Sequence, residues 1–240
     1  MTTEHNCQLY FLGVGPGDPE LLTLKAVRII QDCDIMFVPV RKKNETDSLA
    51  LEIVKKGVDI EQKRIVYLHF PMIKGAKNML KALTPAVETI EKELSKGSNG
   101  CFVTLGCSTI YSTAGNLYAL LKEKSISMRF IPGVSAINAT AAVCGFPLVF
   151  SEEKLAILPA TYSVDQIDWY LDQFDVVVLM KVHSSLAVIR QIIEKKHLMN
   201  TSFIVEKASF DEQRMTCLNE LKDDYKPNYM STLLIKKTNH

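Results

Sequence analysis

The segment from Leu9 to Thr23, Leu-Tyr-Phe-Leu-Gly-Val-Gly-Pro-Gly-Asp-Pro-Glu-Leu-Leu-Thr, narrows the possible folds more than any other part of the chain. An apolar run of strand length meets glycines, prolines and an aspartate, then passes into a helical pattern. Glycine accepts backbone angles and close approaches that a Cβ forbids, and proline fixes the path between them, so these residues predict a pre-shaped strand-to-helix turn. A dinucleotide-binding turn would read Gly-x-Gly-x-x-Gly. Gly13 and Gly15 satisfy that pattern, but Asp18 stands where the third glycine belongs, and a carboxylate is a poor neighbour for a pyrophosphate. Asp18 and Thr23 also have a purely structural reading, as caps of the helix that follows.

Composition bounds what such a turn can serve. The chain has 240 residues, 47% hydrophobic and 23% charged, enough for one large or two smaller globular domains. Lys+Arg 28 against Asp+Glu 27 leaves a net charge of +1, so nothing global favours nucleic acid or an anionic membrane, and any anionic ligand needs local charges. The six cysteines, Cys7, Cys33, Cys101, Cys107, Cys144 and Cys217, form no Cys-x-x-Cys pair. They read as free thiols in a reducing compartment and not as a zinc site. Met1 to Gln8 lack an apolar signal core, and no uncharged apolar run reaches the roughly 18 residues of a membrane span. The expectation is a cytoplasmic protein with no metal site.

Strands are expected at Leu9–Val14, Ile35–Pro39, Ile65–Leu68, Gly100–Leu105 and Met128–Ile131, with helices at Leu21–Gln31, Ser48–Lys56, Met79–Leu94 and Ser112–Lys122. Strand and helix alternating at this spacing predict a parallel sheet wrapped by helices. The second half reads as a helix at Ser135–Val143 and strands at Leu155–Leu158, Val176–Lys181, Phe203–Ala208, Arg214–Leu218 and Ser231–Lys236. The last three follow with little helix between them, which predicts a mixed sheet. Two α/β domains are therefore expected, residues 1–133 and 134–240, with the boundary near Ile131-Pro132-Gly133 and a ligand cleft between them.

Parallel α/β sheets bind ligands beyond the carboxyl ends of their strands, and three small-residue turns fall at such ends: Gly13–Asp18, Thr104–Ser108 and Ile131–Ala136. They offer backbone groups and few charges, which suits an uncharged or zwitterionic adenosyl ligand better than a triphosphate. Gly-x-Ser-x-Gly, His-Glu-x-x-His and the phosphate-loop pattern are absent. Three further features each have two readings. His69 is a half-buried, hydrogen-bonded histidine or a group at a substrate or metal. Arg41-Lys42-Lys43, in the polar run Arg41–Asp47, is a solvated loop or a set of carboxylate contacts. Tyr111 opens a helix and either points its phenol into the cleft or packs in the core.

Together these residues resemble the tetrapyrrole methylase family, the S-adenosylmethionine-dependent methyltransferases of corrin and sirohaem synthesis. The resemblance spans nearly the whole chain and rests on Gly13–Thr23, on Ile131-Pro132-Gly133-Val134-Ser135-Ala136, on Val178-Leu179-Met180-Lys181, and on Glu206-Lys207-Ala208-Ser209 with Glu212-Gln213-Arg214. Phe70-Pro71-Met72, Ile110-Tyr111-Ser112-Thr113 and Leu155–Ala160 look like the branch that methylates the C20 meso carbon of precorrin-2 or cobalt-precorrin-2 in cobalamin biosynthesis.

The resemblance implies a homodimer whose cofactor, S-adenosylmethionine, is held by Pro16, Gly106, Cys107, Ser108, Ile110, Ser135, Ala136, Met180 and Ala208. It places a small-molecule tetrapyrrole under the first turn, with Asp18 as first and Tyr111 as second candidate to assist proton loss, and with Arg41, Lys42, Lys43 and Lys74 at the rim. One departure stands out. The family usually has Gly-Asp-Pro at the second turn, and this chain has Gly106-Cys107-Ser108. Two alternatives share the same residues: a methylase of this fold acting on another substrate, and a weakened homologue that binds tetrapyrrole or cofactor without efficient turnover.

Overall fold

The computed structural model describes residues 8–71, 73, 76–95, 97–160 and 164–237. They form two compact units, Met1–Ser135 and Ala136–His240, each with its own sheet.

The first unit holds β1 (Gln8–Gly13), α1 (Leu24–Asp32), β2 (Ile35–Val40), α2 (Leu49–Gly57), β3 (Arg64–His69), α3 (Ala76–Ala82), α4 (Thr84–Leu94), β4 (Gly100–Thr104), α5 (Thr113–Leu121) and β5 (Ser127–Ile131). Its strands are all parallel, in the order β3-β2-β4-β1-β5. Burial on both faces explains the unbroken apolar runs of β2 and β4. Phe11, Phe37 and Phe102 are fully buried at its centre, and Phe11 stacks on Phe130 at 4.8 Å between ring centroids.

Two boundaries depart from the sequence reading for identifiable reasons. The helix expected from Leu21 starts at Leu24, because Pro19–Leu21 form a 3-10 turn capped by Asp18 and Thr23 then caps α1. The helix expected over Met79–Leu94 is two helices, and Pro85 sits in the first turn of the second, where its missing N–H costs nothing.

The second unit holds α6 (Ala136–Cys144), β6 (Leu155–Pro159), α7 (Ile167–Gln173), β7 (Val176–Met180), α8 (Leu186–Lys195), β8 (Ser202–Glu206), β9 (Arg214–Cys217) and β10 (Ser231–Lys236). Its sheet has the order β6-β7-β10-β8-β9, parallel only between β6 and β7, as the sequence predicts of a mixed sheet. Ile204 packs with residues of α7 and α8, whereas its neighbour Val205 packs with Ala139 of α6, so helices cover both faces. The sequence reading missed α7 and α8. Among the described residues no helix is long and apolar enough to cross a membrane.

Candidate active site

Strands β4, β1 and β5 lie side by side, with Gly13 level with Thr104 and Leu12 level with Ile131, so their three turns leave from one edge of the first sheet. The turns are tied to one another. Val14 N–H donates to the Thr104 carbonyl at 3.0 Å, and Gly15 and Gly106 exchange both backbone hydrogen bonds at 3.2 and 2.7 Å. The Ser108 hydroxyl donates to the Ile131 carbonyl at 2.8 Å, carrying the second turn across to β5.

The glycines earn their places in a way the sequence did not disclose. A Cβ at Gly13 would lie 2.6 Å from both the Gly106 oxygen and the Gly133 nitrogen, and one at Gly133 would lie 2.5 Å from the Gly106 and Gly13 oxygens. Backbone presses on backbone here, so the room at Gly13 and Gly133 is filled by neighbouring turns and not kept for a ligand. Gly15, at φ 86°, and Gly106, at φ 72°, are the positions in these turns whose backbone angles themselves require glycine. Both polar backbone groups of Gly106 are engaged with Gly15, and Pro16 beside them is buried.

Cys107 is only 8% exposed, and its sulfur lies 3.1 Å from the Thr109 hydroxyl. Burial pushes its thiol up, but the Thr109 hydroxyl and the N–H groups of Thr109, Gly133 and Ile110 together outweigh burial and hold it below its ordinary value. These donors favour the thiolate form of the sulfur. Ser108 and Ser135 are buried, and Ala136 begins α6.

Asp18 accepts the Glu20 N–H at 2.8 Å and Thr23 accepts the Ala26 N–H at 3.1 Å, so Thr23 is the cap of the helix and Asp18 caps only the 3-10 turn before it. Tyr111 does not open a helix: Ser112 is the cap of α5, and Tyr111 stands before it in the left-handed region at φ 45°. Its side chain is 47% exposed, which overturns the core-packing reading.

In the second unit Met180 closes β7, and Lys181 follows at φ 62° with its ammonium lowered by burial. Ala208 is buried between left-handed Lys207 and Ser209, at φ 48° and 69°. That loop is clamped: Ser209 N–H donates to the Gln213 side-chain oxygen at 3.1 Å, and Lys207 N–H to the Met230 carbonyl at 2.9 Å. Glu206, buried at the end of β8, accepts from the Tyr225 hydroxyl and the Asn228 N–H. Burial, then Glu206, raises the Tyr225 phenol. The run Glu206–Arg214 therefore marks a loop lock, with Gln213, which the sequence offers only as part of the family resemblance, as its clamp. Among the described residues Thr140 Oγ1 and Ser231 Oγ have no hydrogen-bond partner although both are buried, and no sequence pattern points to either.

At the far edge of the first sheet, His69 Nε2 lies 3.1 Å from the Arg41 carbonyl on an exposed side chain, hydrogen-bonded as expected but not half-buried. Met72, Lys74 and Cys7 lie outside the described residues. Among the described residues no three His, Cys, Asp or Glu side chains group in a way that holds a metal ion.

The model of the Tetrapyrrole (Corrin/Porphyrin) Methylases matches residues 8–222. A probable cobalt-precorrin-2 C(20)-methyltransferase of Methanocaldococcus jannaschii is 35% identical over 235 residues, covering 96% of each chain. The cobalt-precorrin-2 C(20)-methyltransferase of Salmonella typhimurium is 32% identical over 235 residues, covering 97% of each. Among solved structures, a cobalt-precorrin-4 methyltransferase has a TM-score of 0.73 at 16% identity, over 97% of this chain and 95% of its own. A uroporphyrin-III C-methyltransferase of Thermus thermophilus complexed with S-adenosylhomocysteine has a TM-score of 0.64 at 16% identity, over 96% and 97%.

Proposed function

The chain belongs to the tetrapyrrole (corrin/porphyrin) methylases, and from that premise we propose that it is the cobalt-precorrin-2 C20-methyltransferase of cobalamin biosynthesis, dependent on S-adenosylmethionine. The observation that carries the reading is the identity, 35% and 32% across almost the full length, with two enzymes named for that substrate and that carbon. We further propose that it works as a homodimer in the cytoplasm.

The residues present suit S-adenosylmethionine. The stretches Gly106–Ile110 and Gly133–Ala136 carry no charged side chain, and hydrogen bonds from Ser108 to Ile131 and between Gly106 and Gly15 fix the second turn. In this reading Gly106, Cys107, Ser108, Ile110 and Ser135 of the first unit and Ala136, Met180 and Ala208 of the second hold it, with Pro16 beside them. Gly106 contributes by lacking a side chain, since its backbone groups serve Gly15. When bound, S-adenosylmethionine supplies an electrophilic methyl group.

The protein's share of the chemistry is to orient the electron-rich meso carbon and exclude competing geometries, a contribution worth several kcal/mol in well-aligned systems. The meso carbon must then lose its proton. We assign that proton to the Asp18 carboxylate, whose Oδ1 is steadied by the Glu20 N–H, with the exposed Tyr111 phenol as second candidate.

The test is anaerobic incubation of the protein and S-adenosylmethionine with cobalt-precorrin-2, metal-free precorrin-2 and uroporphyrinogen III in parallel, following methyl incorporation by mass. One methyl added to cobalt-precorrin-2 is the expected result. Methylation of uroporphyrinogen III alone, or of none, overturns the assignment.

A further inference from the structure

We propose that the first unit carries a discrete carboxylate subsite, a pocket in which Lys43 is the counter-ion for one carboxyalkyl arm of the tetrapyrrole; the inference rests on the function proposed above. The pocket lies beyond the carboxyl ends of β2 and β3, on the same side of the parallel sheet as the glycine turns. Its volume is about 480 Å³, and Lys43, Asn44, Thr46, Tyr67, His69 and Thr89 bring polar groups to its wall. That volume falls in the range of small-molecule sites, about 300–1,000 Å³, and suits an arm with its pyrrole better than a whole macrocycle.

Of the three cations that the sequence left equivalent, Lys43 is the one that lines the pocket. Lys42 is committed to its own turn: its ammonium lies 3.7 Å from Glu45 Oε1, its N–H donates to Glu45 Oε2 at 3.2 Å, and the Glu45 N–H returns to the Lys42 carbonyl at 3.3 Å. Asn44, at φ 66°, takes the left-handed position that closes this turn. Arg41 lends its carbonyl to His69, which pins the ring at the pocket wall. Lys43 remains, facing the pocket, and among the described residues no carboxylate lies within ion-pair distance of it. Glu45 also lines the pocket, but Lys42 and a backbone N–H already compensate its charge.

A tetrapyrrole of this class bears several acetate and propionate arms, and a protein of net charge +1 attracts them only through placed cations. A turn fastened by Glu45 that sets one lysine in the wall of a polar pocket is such a placement.

The experiment uses the full chain and two readouts. The first is fluorescence titration with uroporphyrin, a stable octacarboxylate, where Lys43→Gln is expected to weaken binding about tenfold, the usual cost of one charge-assisted contact. Lys43→Arg should restore most of it, and Lys55→Gln, on exposed α2, should change nothing. The second is steady-state kinetics with cobalt-precorrin-2: KM rises in Lys43→Gln by a similar factor, while kcat and the affinity for S-adenosylhomocysteine stay put. Unchanged uroporphyrin affinity and unchanged KM in Lys43→Gln and Lys43→Glu, in a wild type that turns over, would sink the subsite and leave the function standing. A wild type inactive on the corrinoid would instead remove the proposed function, and the uroporphyrin titration would still decide whether the pocket takes a carboxylate.

Discussion

Replacing Cys107 by alanine removes the acceptor at the centre of the second turn and leaves its donors without one. Four groups lower the Cys107 thiol: the Thr109 hydroxyl and the N–H groups of Thr109, Gly133 and Ile110. Thr109 is exposed, so its groups rehydrate at little cost. The N–H groups of Gly133 and Ile110 lie in the partly buried part of the turn, where a stranded donor costs about 1–3 kcal/mol each. Sulfur is a weak acceptor, so the lower end applies, about 1–2 kcal/mol in all. For a protein of this size that is a fall in Tm of roughly 2–8 °C.

Cys107→Asp should behave in the opposite sense, because a carboxylate accepts the same donors through stronger charge-assisted bonds. A thiol held below its ordinary value binds fewer protons folded than unfolded. Its stabilising share is therefore complete above the unfolded thiol value, near 8.5, and is lost as pH falls through the folded value. Thermal melts at pH 7 and pH 9 test this: the gap between wild type and Cys107→Ala should widen with pH, and calorimetry should show S-adenosylhomocysteine binding weakened in Cys107→Ala and kept in Cys107→Asp. Equal melting of all three proteins, or a gap that narrows from pH 7 to pH 9, would refute the acceptor role.

Other expectations follow from the same geometry. Gly13→Ala and Gly133→Ala should each cost more than about 2 kcal/mol in denaturant unfolding, because backbone atoms at 2.6 and 2.5 Å must move to admit the Cβ; wild-type stability in either would mean the turns are not in contact. Asp18→Asn keeps the capping oxygen, so Tm and cofactor affinity should hold while single-turnover methylation slows, and unchanged single-turnover rates remove Asp18 from the chemistry. Gln213→Ala releases the Ser209 N–H and the left-handed loop around Ala208, and should weaken S-adenosylhomocysteine binding by about 1 kcal/mol, some fivefold, measured by calorimetry. In alkylation with iodoacetamide followed across pH, the rate at Cys107 should reach its plateau at a lower pH than the rate at Cys144, whose thiol burial pushes up to about 11; a plateau at the same or a higher pH would contradict the lowered thiol.

What was legible in the sequence, and what was not, divides along the range of the interactions involved. The strands and the glycine turns showed because their signals are local: apolar runs of strand length, a proline fixing φ, a glycine permitting it. Helix α7 escaped because its buried stripe is thin, Ile167 and Leu171 among charged and polar neighbours, whereas α8 does carry a helical pattern, Leu186, Ile189 and Ile193, that the sequence reading passed over. The burial of α7 is decided by the sheet it covers, and its seven residues are too short a window to carry that information.

The same division explains the site. A glycine in a turn reads identically whether it makes room for a ligand or for another strand's backbone, and only the meeting of Gly13, Gly106 and Gly133 from three separate strand ends distinguishes the two. Cys107 shows the converse. As a letter it is a missing acid, and the sequence reading left it balanced between an adapted enzyme and a weakened one. The donors that settle its local role come partly from Gly133, at the end of a different strand, and they make the position an acceptor site first and an acidic site second. A residue that accepts hydrogen bonds and fits the buried volume can then hold the turn, which favours an adapted enzyme and makes Cys107→Asp a substitution the fold should welcome.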